Sequence, residues 1–197
     1  HSQSIEAYFT HLPGIRIMFP SNATDAKGLL KAACRSDDPV LFLEHKGLYR
    51  QPYSSGPEPD DGYIIQPGNA RIALEGSDLT IITWGALVQK SIEAANQSNY
   101  SVEVIDLRTL NPLDMKTIQK SVEKTSKVII AHEDNITGGF GAEIAARIAD
   151  EFFEMIDGPI KRVGSLDIPI AYAATLEDEI LVQTEWIYNA IESLGDY

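Results

Sequence analysis

The feature that constrains this chain most is an alternation that begins at residue 71. Apolar, β-branched runs at 71–74 and 79–83 flank a Glu75-Gly76 turn, and two more follow at 102–106 and 128–131. Helical stretches are predicted between and after them, at 87–96, 114–123 and 141–156. In the last of these Ile144, Ile148, Phe152 and Met155 recur at helical spacing. Arg162-Val163 begins a final strand, and Leu176, Ile180, Ile187, Ile191 and Leu194 form one stripe of a closing helix. Strands that alternate with helices imply a mainly parallel sheet covered on both faces. Residues 68–197 therefore read as a complete α/β domain.

The stretch before it is less regular. Residues 51–67 carry Pro52, Pro57, Pro59 and Pro67 with Gly56 and Gly62, a density that precludes a helix or central strand and marks a linker. Residues 1–50 hold a short helix at 4–11, a strand at 15–19, a helix capped by Ser21 or Asn22 that runs to about 33, and a strand at 40–43. Two strands make no stable sheet alone, so this region reads as the tail of a domain.

Composition narrows the function classes. No apolar run approaches the roughly 18 residues that span a bilayer, which argues against a membrane protein. The single cysteine, Cys34, rules out an internal disulfide and a multi-thiolate metal site and suits a reducing cytoplasm. Net charge is −13, and residues 132–197 hold 14 acidic against 3 basic side chains. That surface repels nucleic-acid phosphates; it is either a solvated face or a docking surface for a basic partner. The opening, His1-Ser2-Gln3-Ser4, has neither an initiator Met nor a signal-peptide pattern, so the expectation is a chain cut from something longer.

Four histidines are the natural proton-transfer groups, and no two stand at a metal or dyad spacing. His11 precedes Leu12-Pro13-Gly14 at a helix end, where a structural hydrogen bond is expected. His45 and His132 each follow a strand beside an acid, Glu44 and Glu133, at positions favoured for sites. The glycine-rich turn 137–141 opens a helix and could bind an anion, but lacks the dinucleotide fingerprint. Its glycines are better explained by tight packing of the helix start. Residue types and spacing stop at a soluble α/β protein.

Several segments carry more. They are His1-Ser2-Gln3-Ser4, Phe9-Thr10-His11-Leu12-Pro13-Gly14, Pro20-Ser21, Asp25-Ala26-Lys27-Gly28-Leu29-Leu30, residues 42–50 (FLEHKGLYR), 104–110 (VIDLRTL) and 138–146 (GGFGAEIAA). In this order they resemble the beta subunit of the thiamine-diphosphate-dependent 2-oxo acid dehydrogenases, a transketolase-like family. The resemblance covers nearly the whole chain.

It implies that residues 1–50 end a pyrimidine-binding domain and 68–197 form a transketolase C-terminal-like domain. The complete enzyme would decarboxylate a 2-oxo acid on thiamine diphosphate and pass the acyl group to lipoamide, with a branched-chain acid favoured over pyruvate. Diphosphate and magnesium would be held by an alpha subunit or fused alpha portion, so this chain alone is expected to be inactive and to bind no cofactor. His1 matches the family histidine that moves protons during acylation of the lipoyl group. The turn containing Ala33, Cys34, Ser36 and Asp38 matches one that supplies oxygens to a structural potassium ion, although Ser36 and Asp38 stand where Asp and Asn are common. A second beta copy and a lipoyl acyltransferase core, docked through the acidic region, are the implied partners. Deoxyxylulose phosphate synthase is the rival within the superfamily, and a non-catalytic assembly module the rival outside it.

Overall fold

The computed structural model describes residues 3–197. Its first region runs α1 (Glu6–Thr10), β1 (Arg16–Met18), α2 (Ala23–Cys34) and β2 (Val40–Phe42). Asn22 caps α2: its backbone is extended and its side-chain oxygen accepts the Asp25 N–H at 2.9 Å. Two short 3-10 turns, Lys46–Arg50 and Pro52–Ser54, follow β2.

The second region runs β3 (Arg71–Leu74), β4 (Leu79–Thr83), α3 (Leu87–Gln97), β5 (Val102–Asp106), β6 (Thr109–Asn111), α4 (Met115–Thr125) and β7 (Val128–Asn135). It continues through α5 (Gly141–Glu151), β8 (Lys161–Ser165), α6 (Ala174–Ile180) and α7 (Thr184–Gly195). Five strands form a sheet in the order β3-β5-β4-β7-β8. All neighbours are parallel except β3, which runs antiparallel to β5 at one edge. The strands that flank the Gly76 turn are thus not paired with each other; β5 lies between them.

Strand alternation sorts the core into two layers. Leu79, Ile81, Val102, Val104, Ile129 and Ala131 point to one face and meet Leu87, Ala94, Ile187, Ile191 and Leu194 of α3 and α7. Ile82, Ile105, Val128 and Ile130 point to the other and meet Ile118 and Val122 of α4 and Ile144 and Ile148 of α5. The long helices of the sequence reading are each interrupted. α5 stops at Glu151 and a 3-10 turn, Phe153–Met155, takes over. The closing stripe is split between α6 and α7, and Leu176 is 56% exposed rather than on it. Extended backbone at Leu181 and Gln183 makes the break, with Val182 buried between them.

The two regions are joined more closely than a linker suggests. β6 pairs antiparallel with β1, giving β2-β1-β6 the third strand that β1 and β2 lack. Ile17 and Phe19 are buried in the same cluster as Ile82, Trp84 and Leu110. Gly85 has φ +59°, and a Cβ there would sit 3.0 Å from the Phe19 ring, so the β4–α3 turn is shaped around a side chain of the first region. Burying Phe19 and Ile17 contributes roughly 1.5–3 kcal/mol each. The proline-rich stretch lies along α2. Lys27 bonds Glu58 and the Pro59 carbonyl, each at 2.9 Å, and the Ile65 N–H donates to the Gly28 carbonyl at 3.2 Å.

Candidate functional site

In an open α/β sheet the strand order reverses at one point, and the crevice beyond the strand ends there commonly receives a ligand. Here the reversal lies between β4 and β7, since β4 connects through α3 to β5 on one side while β7 returns to the other. Trp84 follows β4, and His132 and Glu133 lie in β7 beyond its pairing with β4. Side chains of the first region occupy this crevice.

His132 points to the α5 face and is fully buried. Its ring stacks on Trp84, with centroids 5.7 Å apart and planes 6° from parallel. Phe140 meets the same indole edge-on at 6.1 Å. Nδ1 lies 3.0 Å from the Asp134 carbonyl oxygen, which can only accept, so Nδ1 carries the proton and Nε2 is bare, with no partner among the described residues. Burial pushes the imidazole pKa down to about 4, so the ring is neutral at pH 7.

The glycines of residues 137–141 explain themselves against this ring. A Cβ on Gly139 would lie 2.6 Å from His132 Cε1, and one on Gly164 of β8 2.8 Å from the same atom. One side of the turn therefore packs on an imidazole, whereas a Cβ on Gly138 would meet nothing within 4 Å and the other side of the turn lines a cavity of about 600 Å³.

Glu133 points to the opposite face. His45, just past β2, places Nε2 3.0 Å from both Glu133 oxygens. The sequence sets His45 beside Glu44 and His132 beside Glu133; the fold instead crosses them and joins His45 to Glu133. Glu44 goes to the hydroxyl of Tyr49. The Glu133 hydrogen bond raises the His45 pKa, outweighing burial. Glu6 of α1 completes the crossing: its Oε1 accepts the Trp84 indole N–H at 2.8 Å. A cavity of about 470 Å³ lies between these groups, lined by Gln3, Glu6, His45, Lys46, Glu133 and Glu177 among others. Glu6 and Trp84 were not singled out in sequence. The available signal was an indole at the end of a buried strand, which needs a partner for its N–H.

A second polar junction joins the regions at the start of α2. Arg108 donates to Asp25 through Nη2 at 2.9 Å and Nε at 3.0 Å. Arg71 and Ser21 both donate to Oδ2 of Asp106, at 3.1 and 2.5 Å.

The other expected site residues are placed as follows. His1 lies outside the described residues. His11 is exposed at the end of α1, and no side-chain hydrogen bond of it is recorded among the described residues, so the structural bond expected there is not found. Ala33 and Cys34 are the last two residues of α2, and Ser36 and Asp38 lie in the turn that follows. The Asp38 carboxylate is engaged by Arg16, with Oδ2 2.7 Å from Nη2, and the Ala33 carbonyl accepts the Ser36 N–H at 3.1 Å. Among the described residues no group of three or more His, Cys, Asp or Glu side chains could hold a metal ion. The anionic oxygen of the turn is committed to a guanidinium.

With this geometry in hand, comparison with known proteins identifies the class. Residues 68–187 match the transketolase C-terminal domain and residues 1–52 the transketolase pyrimidine binding domain. The chain belongs to the transketolase family. Within it, the chain is 42% identical over 201 residues to the 2-oxoisovalerate dehydrogenase subunit beta of Bacillus subtilis (strain 168), covering 100% of this chain and 61% of that one. It is 39% identical over 194 residues to the mitochondrial pyruvate dehydrogenase E1 component subunit beta of Dictyostelium discoideum, covering 96% and 54%. A solved structure described as a split gene transketolase, inactive beta4 tetramer, superposes with a TM-score of 0.79 at 23% identity over 96% of this chain and 60% of that one. That likeness shows the fold. The chain spans a little over half the length of the curated relatives it matches.

Proposed function

We propose that this chain is the C-terminal part of the beta half of a 2-oxo acid dehydrogenase's decarboxylating component, acting on a branched-chain 2-oxo acid. One observation carries the reading: an alignment at 42% identity to a 2-oxoisovalerate dehydrogenase subunit beta that leaves no part of this chain uncovered. Thiamine diphosphate would supply the decarboxylation chemistry. The diphosphate and magnesium are assigned to an alpha portion, and this chain contributes protein groups beside the reaction. His1 is assigned proton transfer during acylation of lipoamide, and His1→Ala in the complete enzyme should depress that step.

The test is dye-coupled decarboxylation by the complete beta chain with its alpha portion, over a panel of 2-oxo acids. Turnover of 3-methyl-2-oxobutanoate well above pyruvate supports the reading. The reverse preference makes it a pyruvate dehydrogenase, which the 39% identity to a pyruvate dehydrogenase subunit keeps as the second reading. No turnover by a folded, cofactor-loaded complex would favour an assembly module.

Two further assignments belong to the same reading. The acidic excess after residue 132 suits a basic domain of a lipoyl acyltransferase core, and binding that ignores salt would contradict it. A potassium ion at Ala33, Cys34, Ser36 and Asp38 would need Asp38 to leave Arg16 or to be bypassed by carbonyls. Equal thermal stability of the complete protein in potassium and sodium would remove that assignment.

A further inference from the structure

Glu6 is 1% exposed, the most deeply buried residue of a five-residue helix that has no side-chain cap. A helix of that length does not persist by itself in water, so tertiary contacts hold α1 in place. Among the described residues the Glu6 carboxyl accepts the Trp84 N–H at Oε1, and the Ser4 hydroxyl and Glu6's own backbone N–H also favour its charged form. Burial holds the carboxyl above the usual carboxylate range. A leucine or methionine at this position would fill the space without that penalty; what the carboxyl adds is direction. The indole it binds is itself immobilised, stacked on His132 and braced by Phe140. That assembly belongs wholly to the second region, whereas Glu6 belongs to the first. Residues 3–5, immediately upstream, line the same cavity as His45 and Glu133.

We propose that Glu6 is a positioning residue: its hydrogen bond to Trp84 fixes where residues 3–10 lie over the second region, and through that segment it governs acyl transfer to lipoamide. The role in acyl transfer rests on the function proposed above; the anchoring does not.

The experiment uses the complete beta chain with its alpha portion and compares Glu6→Leu, Glu6→Gln and Trp84→Phe. Two rates are measured for each, dye-coupled decarboxylation and reductive acylation of lipoamide. Glu6→Leu and Trp84→Phe should each lower the ratio of acylation to decarboxylation by about tenfold, a change of about 1.4 kcal/mol in relative barrier. Glu6→Gln, which keeps an acceptor for the indole, should recover most of the ratio. An unchanged ratio in Glu6→Leu, or a Gln variant as impaired as the Leu variant, overturns the proposal. The anchor is read separately from the Trp84 contribution to emission, taken as the difference between each protein and its Trp84→Phe counterpart. Loss of the indole hydrogen bond in Glu6→Leu should shift that emission, and an identical spectrum rejects the anchor. If the parent enzyme turns over no 2-oxo acid while the emission shifts, the functional reading fails and the anchor stands.

Discussion

Gly141 faces His132 so closely that a Cβ there would lie 2.3 Å from the imidazole Cδ2 and 2.6 Å from Nε2. Alanine in a helix is favoured over glycine by about 1 kcal/mol, but overpacking a rigid core costs about 1–3 kcal/mol or more. The clash is with a ring fixed by Trp84 and a backbone carbonyl, so the steric term wins. Gly141→Ala should destabilise the protein by about 2 kcal/mol in urea denaturation. In a His132→Ala background the same substitution should cost much less, giving a coupling of about 1–2 kcal/mol. Additive effects would mean that the two positions do not touch.

The buried imidazole also sets an acid limit. Its folded pKa of about 4 lies below the unfolded value, so the unfolded chain binds more protons between them. Stability associated with His132 is present above the unfolded pKa and is lost as pH falls toward 4. The loss over that window is about 3 kcal/mol, as 1.36 kcal/mol accompanies each pKa unit. His132→Gln should show a shallower fall in midpoint between neutral pH and pH 4 than the parent; equal slopes would contradict the assignment.

His45 should behave in the opposite sense. Glu133 raises its folded pKa above the unfolded value. Its contribution is therefore full below the unfolded pKa and disappears as pH rises through the folded one. With both side chains partly shielded, the pair is worth about 1–2 kcal/mol. Glu133→Gln should be destabilised relative to the parent under mildly acidic conditions and approach it at alkaline pH. A difference that does not vary with pH would reject the ion pair.

At the second junction, Arg108 has φ +60°, a conformation that costs a non-glycine residue roughly 1 kcal/mol or more. The side chain offsets that strain by its fork onto Asp25, which is buried. Removing one partner of an isolated buried pair typically costs about 3–5 kcal/mol, but Asp25 keeps Arg71 Nε at 3.4 Å and the Asn22 amide at 2.8 Å, so the loss here is about 2–3 kcal/mol. Arg108→Ala should therefore be strongly destabilising, and Arg108→Gly less so by about 1 kcal/mol because glycine adopts the backbone freely. Equal stability of the two variants would show that the backbone strain is not felt.

Much of this architecture was readable from residue spacing, and the failures have physical reasons. Strands β4, β5 and β7 are buried on both faces, so their apolar runs stand out in sequence. β6 has three residues and runs into Pro112, too little for any period to register, yet it supplies the pairing that completes the first region's sheet. The break between α6 and α7 was hidden because Ile180, Ile187, Ile191 and Leu194 keep helical spacing across it. His45 and Glu133 are 88 positions apart, and their meeting depends on how the first region is seated, which no local pattern encodes. The glycines at 139, 141 and 164 were visible, but their common reason, one imbedded ring, required the fold.

The account turns on the first region being seated in the second region's crevice as part of one cooperative unit, through β1–β6 pairing, Phe19 and the Glu6 and His45 crossings. Native-state hydrogen exchange on this chain tests that directly. The account predicts that the backbone amides of Ile17 and Met18 in β1 exchange only through the same global opening as those of Ile81 in β4 and Ile130 in β7, with equal free energies and equal denaturant dependence. Exchange of β1 through a separate opening of much lower free energy, while β4 and β7 remain protected, would contradict it.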